Sequence, residues 1–94
     1  MSDATVYGEP AEAILATLSK SNQRSSDSGM HELDLRMPPN EARPLVRALM
    51  RAEAELLLKD ADAFDPTREG RTPEQRRADA LLEVVTAAAA ALRV

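Results

Sequence analysis

Four residues, Thr72-Pro73-Glu74-Gln75, constrain the fold of this chain more tightly than any other stretch. Threonine at the cap, proline at the first helical position, an acid behind it and glutamine at the third position satisfy the capping-box pattern. In that pattern the two polar side chains each close on the other's backbone N–H. A helix over about 73–92 is predicted, with Ala78, Leu81, Leu82, Val85, Ala88, Ala89 and Leu92 on one face. Residues 87–91 are five consecutive alanines, good helix formers with little to bury, so this end expects close packing or a continuation. Phe64–Arg71, with Asp-Pro and Gly70, is a turn-rich break before the cap. Upstream of it, residues 41–63 hold the longest helical pattern, striped by Leu45, Val46, Leu49, Ala52, Leu56 and Leu57, with Asn40 as an acceptable cap. Pro44 is discordant there, because it removes a backbone bond. It implies a start near 41 with a distorted first turn, or regular helix only from about 44. Together these segments predict a long antiparallel helix pair.

The N-terminal part is less regular. In Glu9–Lys20, Pro10 suits a first helical turn, and Ala11, Ile14, Leu15 and Leu18 form one stripe. So short a helix is marginal alone and forms only if its stripe docks. Ser21–Gly29 is polar and serine-rich, a flexible linker by composition, and Met30 after it is a second methionine at which translation can start. Residues 31–37, HELDLRM, alternate strictly: Leu33, Leu35 and Met37 with His31 on one side, Glu32, Asp34 and Arg36 on the other. Period 2 over seven residues predicts a half-buried strand, ended by Pro38-Pro39. Thr5–Tyr7 is too short to rely on as its neighbour. The strand therefore implies pairing in a dimer or with a region outside this chain. The expected class is mainly α: a short N-terminal helix, one short strand, then the helix pair. Residues 1–29 are expected to be a helix and linker, and 30–94 the strand and helical hairpin.

Composition narrows the function classes. With no cysteine, disulfide staples, thiolate metal sites and cysteine nucleophiles are excluded, and one histidine excludes a multi-histidine metal cage within one chain. Aromatics are 2% of 94 residues, so the core is aliphatic, and a chain this short buries only about 60–65% of its unfolded surface. The formal charge is −4, and only residues 67–94 are basic, by five bases to four acids, which equips the chain poorly for non-specific nucleic-acid binding. The longest uncharged apolar run, Val84–Leu92, is far short of the roughly 20 residues a bilayer needs. Met1–Val6 lacks the basic start of a signal peptide. A cytoplasmic chain is the expectation.

Candidate chemistry is sparse. Asp60, Asp62 and Asp65 invite a calcium reading, but the fifth position of such a loop is Phe64 and the sixth is Asp65 rather than glycine, so the match fails. Arg43, Arg47 and Arg51 make a basic ridge with Glu55 continuing the series, which reads as a solvated face with i, i+4 pairs. Arg76 and Asp79, at i, i+3, are expected to pair on the helix surface, with Arg77 about 100° round the helix. His31 on the strand reads as a packed residue. No catalytic constellation or phosphate loop is present, and no cofactor, metal or small-molecule substrate is expected.

Residues 71–82, RTPEQRRADALL, resemble the domain-of-unknown-function 222 family, bacterial proteins in which this domain commonly precedes an HNH nuclease domain. Thr72, Pro73, Gln75, Arg76, Arg77, Ala78, Asp79, Ala80 and Leu81 conform to its Thr-Pro-x-Gln-Arg-Arg-Ala-Asp-Ala-Leu run. Leu35–Leu49 is similar to the family's strand, Pro-Glu turn and Val/Ala-rich helix, from which Pro44 departs. The histidines and asparagine of the nuclease are not in this chain, so the resemblance implies a non-catalytic accessory module and carries over no nuclease activity. Apart from the resemblance, the unpaired strand and modest apolar stripes lead to an expectation of action through protein contacts, including self-association and a coiled-coil-like dimer, with Arg76, Arg77, Asp79, Leu33, Leu35 and Arg36 as candidate interaction residues. A second class is a ribbon–helix–helix regulator such as an antitoxin, because a strand precedes two helices. There the outward set would be Glu32, Asp34 and Arg36, two acids facing phosphates.

Overall fold

The computed structural model describes residues 4–25, 27, 29–67 and 70–93. Positions 26 and 28 of the serine-rich stretch, 68 and 69 of the break, and 1–3 at the N-terminus lie outside that set. Among the described residues the order is β1 (Thr5–Val6), β2 (Glu9–Pro10), α1 (Ala11–Ser19), β3 (Asn22–Ser25), β4 (His31–Asp34), α2 (Pro39–Asp62) and α3 (Pro73–Leu92). The mainly helical class holds, with α1 packing on both long helices and two small antiparallel hairpins added.

The expected lone strand has a partner in its own chain. β4 pairs with β3, Ser25 opposite His31 and Asn22 opposite Asp34, so neither a second molecule nor an outside segment is needed to pair it. The stretch read as linker supplies that partner. All four β3 residues are exposed, so the strand carries no apolar alternation; it is held by its cross-strand backbone bonds and by the ion pair of Arg24 with Glu32 opposite it, 2.7 Å long. The regular strand stops at Asp34, yet the predicted alternation outlasts it: Leu33, Leu35 and Met37 are half-buried while Glu32, Asp34 and Arg36 are exposed. The side chain of His31 lies outside the described part of the structure.

The first hairpin is tighter. Val6 faces Glu9 across the two-residue loop Tyr7-Gly8, whose φ values of 52° and 81° are those of a type I′ turn. A Cβ on Gly8 would lie 2.6 Å from Arg51 Nη1, so glycine serves both the turn and the approach of α2. α1 starts at Ala11, with Pro10 in the cap position and no side-chain cap. Its first amide instead donates to the Ala4 carbonyl at 3.0 Å, which folds the hairpin back onto the helix.

α2 begins earlier than expected. Pro39 takes the first helical position, where a fixed φ and a missing N–H cost nothing, and Asn40 lies inside the helix rather than capping it. Pro44 sits within an uninterrupted helix, leaving only the carbonyl of exposed Asn40 without its helical donor. In α3 the capping box forms as read: Gln75 N donates to Thr72 Oγ1 at 3.1 Å and Thr72 N to Gln75 Oε1 at 2.9 Å.

Ile14, Leu45 and Val84 are the large side chains buried where the three helices meet, surrounded by buried Ala11, Ala48, Ala52, Ala80 and Ala88. Alanine at these contacts lets the helix backbones come close. Thr17 is buried too, its hydroxyl 3.0 Å from the Ala13 carbonyl and 3.1 Å from that of Glu41, which ties α1 to the first turn of α2. The buried face of α3 is rotated from the predicted one. Ala88 points inward as expected and Leu81, Val85 and Leu92 are half-buried, but Ala80 and Val84 take the other core places and Ala78, Leu82 and Ala89 are exposed. On α2, Leu45, Ala52 and Leu56 are buried as expected, but Val46 and Leu57 face outward and Ala48 takes a core place. No helix among the described residues is long and apolar enough to cross a membrane.

Candidate functional site

The capping box aims the first turns of α3, and with them the arginines behind it. Arg76 and Arg77 leave the helix about 100° apart and reach α2 at points two turns apart. Arg76 Nε lies 3.2 Å from Asp60 Oδ2, and Arg77 Nε lies 3.1 Å from Glu53 Oε1. Arg71, just before the cap, lies 3.7 Å from Asp60 and 3.4 Å from Asp79. The expected Arg76–Asp79 pair is replaced by a chain of charges, Arg76–Asp60–Arg71–Asp79, with Arg77–Glu53 beside it. Docking α3 on α2 offers Arg76 a less solvated carboxylate than its helical neighbour does: Asp60 is 25% exposed against 52% for Asp79.

Three arginines face three carboxylates here, so the cluster is close to neutral and favours neither an anion nor a cation. Arg71 Nη1 is buried without a hydrogen bond, near Asp79 by charge rather than by bond geometry. A shallow depression of about 420 Å³ lies over Gly70, Arg71, Gln75, Ala78 and Asp79. Asp60 of the rejected calcium reading is held by arginines, while Asp65 accepts from Thr67 N at 2.9 Å and Thr67 Oγ1 at 2.7 Å. Those two bonds hold its carboxyl below the usual aspartate range.

The strand residues come to the other side of the same motif. Leu33 and Leu35 line an open groove of about 400 Å³ with Val46 and Leu49 of α2 and Arg77 and Leu81 of α3. Past Leu33 and Leu81 it continues into a depression of about 300 Å³ walled by Leu18, Leu82 and Val85. Arg77 thus joins the strand and motif sets singled out from the sequence. Arg36 does not line the groove; it pairs with its own Asp34 at 2.9 Å and is highly exposed.

Two further groups were not visible in the sequence. Tyr7 donates to Glu83 Oε2 at 3.0 Å, and burial, that bond and the nearby Glu83 and Glu55 charges push its pKa up to about 12. Arg51 donates through Nη1 to Glu9 Oε2 at 2.8 Å and to the Tyr7 carbonyl, so its partners come from the first hairpin rather than from i, i+4 neighbours. A partner 42 residues away leaves no mark in local spacing.

These features define a class: a three-helix module in which an arginine-rich capped helix is clamped to its neighbour by ion pairs, with an apolar groove along the contact. The family described as Domain of unknown function (DUF222) matches residues 17–94, and the chain belongs to that family. No curated protein and no solved structure matches it.

Proposed function

We propose that this chain is a non-catalytic cytoplasmic module that works through protein–protein contacts as a companion to an HNH endonuclease. One observation carries this reading. The charged residues of the family motif are taken up in ion pairs within the chain, while Leu33, Leu35, Val46, Leu49 and Leu81 leave an apolar groove open beside them. A near-neutral cluster and an apolar groove suit a polypeptide surface better than a phosphate backbone. The ribbon–helix–helix alternative draws no support from the geometry, since β4 pairs within the chain and α2 runs for 24 residues.

The test is a calorimetric titration of the whole chain with the HNH-domain protein encoded nearest its gene, beside a titration with a short duplex DNA in magnesium. Expected is binding to the protein that changes little with salt and is lost in Leu35→Asp, whose helicity is checked by circular dichroism. Cleavage of the duplex, or salt-dependent duplex binding removed by Arg36→Ala, overturns the reading.

A further inference from the structure

β4 carries an open edge beside the apolar groove. Its ladder with β3 uses one edge only, and every second residue turns its N–H and C=O away from β3. Among the described residues no third strand pairs with it. The alternation of Leu33, Leu35 and Met37 runs on past Asp34, where the pairing with β3 ends. Exposed edges are commonly closed to newcomers by an inward-pointing charge or a proline within the strand. Here the inward set is leucine and methionine, Glu32, Asp34 and Arg36 all lie on the outer face, and the first proline is Pro38.

Edge and groove together select the shape of the occupant. Leu33 is at once a residue of the edge strand and, with Leu35, a wall of the groove. A helix laid on Val46, Leu49 and Leu81 would cover the apolar side chains but cut the edge off from water, at about 1–3 kcal/mol for each N–H or C=O left without a partner. An extended segment about 4.8 Å from β4 bonds those groups instead. On the side where Leu33 and Leu35 point, it lowers alternate side chains onto Val46, Leu49 and Leu81. Charge sets the rest of its chemistry. The outer side chains of such a segment stand beside Glu32 and Asp34, each 48% exposed despite its arginine. On the groove's rim Glu74 is exposed and, among the described residues, has no ion pair, whereas Arg77 is taken by Glu53. The open charge is acidic, and basic side chains on the occupant answer it.

We propose that β4 takes up an extended, basic segment of a partner polypeptide as a third strand, its apolar residues seated in the groove at every second position. This rests on the reading of the groove as a protein-contact surface and names the form of the contact. The probe is a displayed library of short random peptides, selected on the full chain and depleted on Leu35→Asp. Expected are peptides whose apolar residues recur at every second position with lysine or arginine between them. The tightest is then synthesised with N-methyl groups on one or the other alternate set of its amides. One set, facing β4, should weaken binding at least about tenfold and the other should leave it unchanged, while Glu74→Lys should weaken it about threefold. In the complex, alternate amides along β4 should gain protection from hydrogen exchange. Apolar residues at helical spacing, equal sensitivity to both methylated sets, or no peptide that tells the chain from Leu35→Asp would overturn the proposal. A peptide that adds in this way while the HNH-domain protein fails to bind upholds the strand addition and removes the companion role; an HNH-domain protein that binds while the selected peptides are helix-spaced does the reverse.

Discussion

Arg76 is the clearest place to ask whether the family motif is structural. Its pair with Asp60 is 3.2 Å long, with the two side chains 18% and 25% exposed. At an effective dielectric constant of about 20 the gross attraction at that distance is about 5 kcal/mol, most of it cancelled by desolvation and side-chain ordering. Exposed pairs retain about 0.2–1 kcal/mol, and breaking a fully buried one costs about 3–5. This half-buried pair belongs between, at about 1–2 kcal/mol. Arg76→Met keeps most of the aliphatic stem and removes the charge. For a chain of this length, about 0.2 kcal/mol per degree at the midpoint converts that loss into a Tm lower by about 5–10 °C. Asp60→Asn should cost more, because it also releases Arg71. A double-mutant cycle by thermal and urea unfolding isolates the pair, with an expected coupling of about 1–2 kcal/mol. The same cycle on Arg77 and Glu53, where the arginine is 70% exposed, should give about 0.5 kcal/mol or less. A coupling below about 0.3 kcal/mol for Arg76 and Asp60 would refute the structural role.

Three further outcomes follow from the fold. Tyr7 is the chain's single tyrosine and tryptophan is absent, so phenolate absorbance reports it alone, and its midpoint should fall near pH 12. Its pKa is raised from 10.0, so its stabilising contribution is complete below pH 10 and lost as pH rises to about 12; Tyr7→Phe should remove that alkaline loss. Gly8→Ala forces a left-handed residue and displaces the Arg51 guanidinium, and should cost about 1–2 kcal/mol in urea unfolding. Ala52→Leu, at a fully buried helix contact, should cost about 1–3 kcal/mol by overpacking, whereas Ala54→Leu on the exposed face should cost little.

What was legible in the sequence was local. The start of α3 was readable because Thr72 and Gln75 make their bonds within one turn, wherever the helix later docks. The alternation of Leu33, Leu35 and Met37 was readable because one face of that segment is buried. β3 was not, because a strand exposed on all its residues has no hydrophobic period and shows itself only once it pairs with β4. The face of α3 was misjudged nearer its start, where Ala78 and Leu82 read as inward yet docking buries Ala80 and Val84; in the alanine run Ala88 turns inward as read, while Ala89 beside it is exposed.

The candidate site divides along the same line. By itself the sequence determined which residues carry charge, where the long helices run and which spacings are apolar, since these depend on contacts within about four residues. The tertiary structure decided that Arg76 meets Asp60 rather than Asp79, that Arg51 meets Glu9, and that on α2 Leu56 lies inside and Leu57 outside. A helix presents its neighbours at i+3 and i+4 whatever surrounds it, but a partner 16 or 42 residues away is chosen only when α3 or the first hairpin packs on α2 and water leaves the space between them.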